Sequence, residues 1–470
     1  MERKNAWDKY PENKRDSVFQ FAEKYRQFIS GCKTERECAE KFANMARNAG
    51  YTDLEEIIQS KESLKPGDKV YATNMGKAMA MYIIGEQPIE QGMNILGAHI
   101  DSPRLDLKQV PLYEDTQMAM LDTHYYGGVK KYQWVTIPLA LHGVFVKKDG
   151  TVIPVSIGDK SGDPVFGVSD LLIHLADEQM QKKAAKAVEG ENLDVLIGSI
   201  PAPKSEDGKE ESGEKVKERV KANILSILAK EYQIEEEDFI SAEIEVVPAG
   251  EARDYGFDRS MIMGYGHDDR VCAYPSFMAM LDMDGVPKRT SVCLLVDKEE
   301  IGSVGATGMH SLFFENMTAE LLNAAGQYSE LALRRAMANS KVLSSDVSAA
   351  FDPNYPEVSE KKNAAYFGNG LVFNKYTGAR GKSGSNDANA EYMAHLRDIL
   401  DRNDVSYQTS ELGKVDQGGG GTIAYILANY GMEVIDSGVA VLNMHAPWEI
   451  ISKVDLYEAY RGYKTFLIEA

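Results

Sequence analysis

The sequence predicts an α/β fold carrying an inserted, β-rich domain. Three observations lead there. Apolar residues recur at helical spacing near both ends of the chain, short wholly apolar runs alternate with those helices, and a central stretch shows hairpin signals instead.

Taken in order, "DSVFQFAEKYRQFIS" places Val18, Phe19, Phe21, Ala22, Tyr25 and Phe28 on one helical face, with Asp16 as the expected N-cap. "TERECAEKFANMARNAG" repeats the pattern, with Thr34 and Glu37 spaced as a capping box and Gly50 as a stop. "AMAMYIIG" and "MNILGAHI" read as buried strands. In the middle, "WVTIPLALHGVFVKKDGTVIPVSIG" reads as two strands around a turn at Lys148, Asp149 and Gly150. The charged first half of "PKSEDGKEESGEKVKERVKAN" reads as an exposed loop, since such a tract cannot bury enough apolar surface to fold. "EEEDFISAEIEVVPAG" reads as a strand leading back. The inserted domain is therefore 110–249, and the main domain is discontinuous, 1–109 and 250–470. In its second part "TSVCLLV", "KVLSSDVSAA" and "DSGVAVLNMHA" read as strands. "DANAEYMAHLRDIL", "TIAYILANY" and "DLYEAYRGYKTFLIEA" read as helices.

Composition narrows the function. A chain of 470 residues exceeds one ordinary domain, and at 43% hydrophobic it can bury a large core. Its formal charge of −20 opposes binding to nucleic acid or anionic membrane and suits an enzyme that binds cations. Cys32, Cys38, Cys272 and Cys293 form neither a zinc motif nor a disulfide framework, so they read as thiols of a reducing compartment. "MERKNAWDKYPENK" lacks an apolar signal segment, and no apolar run suggests a membrane span, so a cytoplasmic protein is expected.

In α/β sheets functional groups gather where strands end. The polar residues at those positions are His99 and Asp101, Asp268 and Asp269, Glu299 and Glu300, Asp346, and His445. Histidines and carboxylates without thiolates form a ligand set for zinc, manganese or cobalt. His99 and Asp101 share a strand face, so Asp101 can hold one imidazole nitrogen while the other binds metal. Two metals about 3.5–4 Å apart need one shared ligand, and a carboxylate can bridge where a histidine cannot. The adjacent pair in "VDKEEIGS" fits the same chemistry: one glutamate coordinates a metal, and the other takes a proton from metal-bound water. This reading leaves the bridge open between Asp268 and Asp269. Outside this set, "DQGGGGTIAY" lacks the Lys-Ser/Thr of a phosphate loop, and its glycines, Gly420 among them, read as backbone amides beside a substrate. Lys375, Arg380 and Lys382 read as cations able to face a substrate carboxylate. The remaining histidines, His267 included, read as structural.

The fragments "HIDSPRLDLK", "GHDDRVCAYPS", "DKEEIGSVGATG", "SSDVSAAFDPNY", "GGGGTIAYILA" and "MHAPWE" resemble the aspartyl aminopeptidase and vacuolar aminopeptidase I family of dinuclear zinc metallopeptidases. The resemblance spans nearly the whole chain. It implies a mixed-sheet exopeptidase domain with helices on both faces and an insert that makes dimer contacts. Dimers would build a homo-oligomeric, twelve-subunit shell acting on peptides. It implies two divalent ions per subunit, with His99 and Asp346 on one, Glu300 and His445 on the other, and Asp268 as the bridge. Glu299 would be the general base and Asp101 the residue orienting His99. The expected reaction is release of the N-terminal residue of a peptide; a dinuclear amidase, deacylase or carboxypeptidase, or a silent shell-forming protein, is the alternative. The sequence departs from the family where Asp352 stands in place of a histidine near the substrate, and Asp269 in place of an asparagine. An acidic Asp352 would disfavour acidic N-terminal residues.

Overall fold

A computed structural model describes residues 4–203 and 218–470. The expected exposed loop falls on 204–217 and lies outside the described residues. The chain forms two compact units. The first comprises Met1–Ser102, Ala252–Met444 and Trp448–Ala470; the second comprises Pro103–Glu251 with His445–Pro447.

The first unit is built on a nine-stranded mixed sheet, in the order Thr52–Asp53, Lys69–Asn74, Ala78–Ile83, Thr290–Val296, Met93–His99, Lys341–Ser344, Glu433–Gly438, Leu371–Asn374 and Tyr407–Thr409. Alternate residues of its central strands face opposite ways, and both faces are apolar. Leu96, Cys293, Leu343 and Ile435 join one core with the helices Asp16–Gly31, Glu35–Asn48, His267–Leu281, Ala390–Arg402 and Lys453–Glu469. Ile95, Leu294, Val342 and Val434 join another with Leu54–Ser60, Phe313–Ala324, Glu330–Ala338 and Ala424–Ala428. Continuous apolar runs are what a doubly covered sheet requires.

Four adjacent strands, Thr290–Val296, Met93–His99, Lys341–Ser344 and Glu433–Gly438, run parallel, so their C-terminal ends share one edge. A second, five-stranded sheet holds Arg253–Tyr255, Met261–Gly264, Glu449–Ser452, Ala440–Leu442 and Ser348–Ala349. Here two sequence readings need correction. "KVLSSDVSAA" and "DSGVAVLNMHA" are not single strands. Each chain leaves the large sheet, at Ser344 and Gly438, and enters the small one, at Ser348 and Ala440. Apolar character continues across the break, which is why the pattern hides it.

The capping box at Thr34 and Glu37 forms. Asp16 is not an N-cap: the first long helix begins with it, preceded by Arg15, whose backbone is already helical and whose side chain makes no capping bond. The 3-10 turn Glu236–Ser241 precedes the strand Ala242–Pro248, so only the second half of "EEEDFISAEIEVVPAG" is extended. In the second unit a six-stranded sheet runs Val152–Ile157, Leu139–Val146, Ala242–Pro248, Arg104–Asp115, Met118–Tyr126 and Val195–Gly198. The first two strands form the hairpin read around Gly150, whose φ of 87° suits glycine. No helix among the described residues is long and apolar enough to cross a membrane.

Thr34 is fully buried, and its hydroxyl accepts from the Glu37 N–H at 3.1 Å. Thr34→Ala removes that acceptor and is expected to cost about 1 kcal/mol, read as a lower chemical-denaturation midpoint.

Candidate active site

The parallel register sets the site. Val296 lies opposite His99, and Ser344 opposite Gly97, two residues before His99. The chain beyond each strand therefore emerges at one place: Asp101 after His99, the two glutamates after Val296, Asp346 after Ser344.

The glutamates are turned there by the backbone. The strand ends at Val296, and Lys298, at φ 66°, starts the 3-10 turn Glu299–Ile301, which Gly302 closes at φ 96°. Buried Asp297 anchors this turn, accepting from the Thr307 hydroxyl at 2.5 Å and from Lys298 Nζ at 3.0 Å. Asp101, also fully buried, accepts from the Glu299 N–H at 3.2 Å and the Glu300 N–H at 3.3 Å, one on each carboxylate oxygen. One carboxylate thus caps the turn that carries both glutamates. It also faces His99, whose Nδ1 lies 3.0 Å from the Asp101 carbonyl oxygen and 3.2 Å from Oδ1.

With Nδ1 so engaged, Nε2 of His99 points at Asp268 Oδ1, 3.2 Å away, and at Glu299 Oε2, 3.8 Å away. Asp268 lies near the start of the helix His267–Leu281, where its backbone and that of Asp269 are not helical. Its N–H donates to Glu449 at 3.1 Å, its carbonyl accepts from the Ser102 hydroxyl at 2.7 Å, and its peptide bond to Asp269 is cis. Asp269 faces elsewhere, accepting from the backbone N–H of His99 at 3.3 Å. Asp346 sits where the chain passes between the sheets. Gly438 lies against it so closely that a Cβ there would stand 1.8 Å from the Asp346 carbonyl oxygen.

Two groups of ligand atoms result: His99, Glu299 and Asp346, and His99, Asp268 and Glu300, each with its atoms within 4.8 Å of one another. Crowding carboxylates in a buried space is unfavourable unless positive charge joins them. Burial, followed by the charges of Glu299 and Asp269, pushes the Asp346 carboxyl well above the ordinary carboxylate range. Burial opposes charge on His99, yet its bonds to Asp101 and Asp268 outweigh burial and raise its pKa. The site selects for a cation, and its oxygen and nitrogen donors fit divalent metal.

The other expected site residues are placed differently. His445 groups with the second unit, where its Nδ1 lies 2.9 Å from the Gly128 carbonyl oxygen. Neither ligand group includes it. Asp352 accepts from the Asn354 N–H at 2.8 Å and so closes a local turn. Lys375 and Lys382 both pair with Asp387, the latter at 3.0 Å, while the side chain of Arg380 lies outside the described residues. Gly420 donates its N–H to the Thr377 carbonyl at 3.0 Å. His267 is structural: burial lowers its pKa to about 3, and its Nδ1 lies 2.8 Å from the Tyr25 hydroxyl. The anchors Asp297 and Glu449 went unassigned in the sequence, although each closes or opens a motif that carries ligands.

The chain matches the family model described as aminopeptidase I zinc metalloprotease (M18) over residues 28–467. It belongs to the M18 family of zinc metalloaminopeptidases. A relative named "Probable M18 family aminopeptidase 1", from Clostridium acetobutylicum, is 63% identical over 466 residues, covering 99% of this chain and 98% of that one. The crystal structure of an M18 aminopeptidase from Thermotoga maritima superposes with a TM-score of 0.92 at 44% identity, covering all of both chains. A structure of the S. cerevisiae mApe1 dodecamer shares the fold, with a TM-score of 0.74 at 20% identity over 97% of each chain. Membership of a zinc metalloprotease family agrees with the two groups of carboxylates and histidine that could hold a metal ion.

Ligand binding to the folded state alone raises stability, by about 2.7 kcal/mol at a hundredfold excess over Kd. Zinc or manganese added to metal-stripped protein is therefore expected to raise its melting temperature. Glu300→Gln should shrink that rise, and Asp352→Asn should leave it unchanged, both read by thermal shift.

Proposed function

We propose that this M18 aminopeptidase holds two divalent ions, zinc foremost, and removes the N-terminal residue of peptides with Glu299 as general base. The observation that carries this reading is the pair of ligand groups meeting at His99. Asp268 would serve as the bridge, since His99 Nε2 faces it while Asp269 is taken up by a backbone N–H. His99 and Asp346 would hold one ion, and Glu300 and His445 the other. For His445 the ligand atom in this reading is Nε2, since Nδ1 faces a backbone carbonyl, the usual way a ligand imidazole is held.

Bound ions of this kind polarise the scissile carbonyl and acidify water at neutral pH. Glu299 then does the proton work. Its side chain is only 13% exposed and shares a group with His99 and Asp346, within reach of a water attacking there. It accepts a proton from that water and passes it to the departing amine. Asp101 fixes the backbone under Glu299 and the ring of His99, so base and ligand keep one geometry.

The substrate side is read at Asp352, Lys375 and Gly420. The Asp387 carboxylate neutralises Lys375, and Asp352 adds negative charge, so neutral or basic N-terminal residues are favoured over acidic ones. We further read the region 110–249 as an inserted dimerisation domain, the peptidase domain as 1–109 with 250–470, the assembly as a dodecamer built from dimers, and the compartment as cytoplasmic. The S. cerevisiae dodecamer supports the assembly.

Glu299→Gln is expected to keep metal content and fold while lowering kcat by about 10²–10⁴-fold on Leu- or Lys-anilides, where wild type should outpace its own rate on Asp- and Glu-anilides. Near-normal turnover would refute the base assignment. Deleting 115–245 should lower the oligomer mass measured by light scattering; an unchanged mass would place the subunit contacts elsewhere.

A further inference from the structure

Asp436 lies on the strand Glu433–Gly438, fully buried within the large sheet. In register it stands beside Ser344, two residues before Asp346, and beside Asn374, one residue before Lys375. Ser344 in turn stands beside Gly97, two residues before His99. Asp436 thus occupies the row of side chains immediately behind the ligands.

Its Oδ1 accepts from the Thr422 hydroxyl at 2.5 Å. The same hydroxyl accepts from the Ala424 N–H at 3.3 Å, at the start of the helix Ala424–Ala428. Next to Thr422, Ile423 packs over Gly97, with its Cδ1 3.3 Å from where a Cβ on Gly97 would stand. Immediately before Thr422 come Gly418–Gly421, which the function proposed above puts beside the substrate. Gly420 reaches Thr377, two residues beyond Lys375. Burying a carboxyl against one hydroxyl is costly for mere architecture, and such groups concentrate at functional sites. Burial, with the charge of Glu299 adding to it, pushes the Asp436 pKa to about 7.

We infer that Asp436 is a positioning residue, holding the four-glycine turn in place behind the ligand row through Thr422. The inference rests on the reading that this turn contacts the substrate. What the tether requires is an acceptor of the right size, not a negative charge. Asparagine supplies one and alanine does not; serine can replace the threonine hydroxyl and valine cannot.

The test uses the full-length, metal-loaded enzyme and a Leu-anilide. Asp436→Ala and Thr422→Val are each expected to raise KM by about tenfold, the cost of one lost buried hydrogen bond, with kcat and metal content held within about twofold. Asp436→Asn and Thr422→Ser should keep KM within about twofold of wild type. An Asn variant as impaired as the Ala variant, or an unchanged KM in both Ala and Val variants, would overturn the inference. So would a loss confined to kcat. Should Asp436→Ala not fold, the Thr422→Val and Thr422→Ser pair decides by the same readings. A wild type inert on every anilide would instead defeat the function proposed above, and this role for Asp436 with it.

Discussion

The site depends first on parallel strand register. Thr290–Val296, Met93–His99 and Lys341–Ser344 run side by side with ends aligned, so three chains release their polar residues into the same few ångströms. An antiparallel arrangement would send alternate exits to opposite edges of the sheet. Shifting one strand by a single residue would turn His99 to the other face and break both ligand groups at once. The two apolar cores hold that register, and the chemistry inherits its precision from them.

Register alone would assemble a repulsive cluster. The backbone makes it tolerable. The left-handed residue Lys298 turns Glu299 and Glu300 so that their N–H groups face Asp101, and Asp268 receives support from Ser102 and Glu449. Neutral peptide groups and outlying carboxylates absorb the strain of orientation. The inner oxygens are then left facing one another, an arrangement that favours a cation between them.

Much of this was legible in the sequence. His99, Asp101, Asp268, Glu299, Glu300 and Asp346 each end an apolar run or start the next element, and a covered parallel sheet makes that position informative. The capping box was equally plain, because it is local. What stayed hidden depends on long-range neighbours. The passage of two chains from the large sheet to the small one leaves no mark in hydropathy, since both sides are buried. Asp436 looked like the first residue of a strand; only its pairing with Thr422 and its register with Ser344 give it a place. The geometric choice between Asp268 and Asp269 needed the direction of the His99 ring.

The strand Lys341–Ser344 fills the gap between Met93–His99 and Glu433–Gly438, and Gly438 and Val439 brace the segment carrying Asp346. On a ribosome, that strand would remain a raw sheet edge until residue 439 had been made and had cleared the exit tunnel. The partner that covers the edge, Glu433–Gly438, follows it by about ninety residues in the chain. The placing of Asp346 therefore depends on contacts made some ninety residues downstream of it, at Gly438 and Val439.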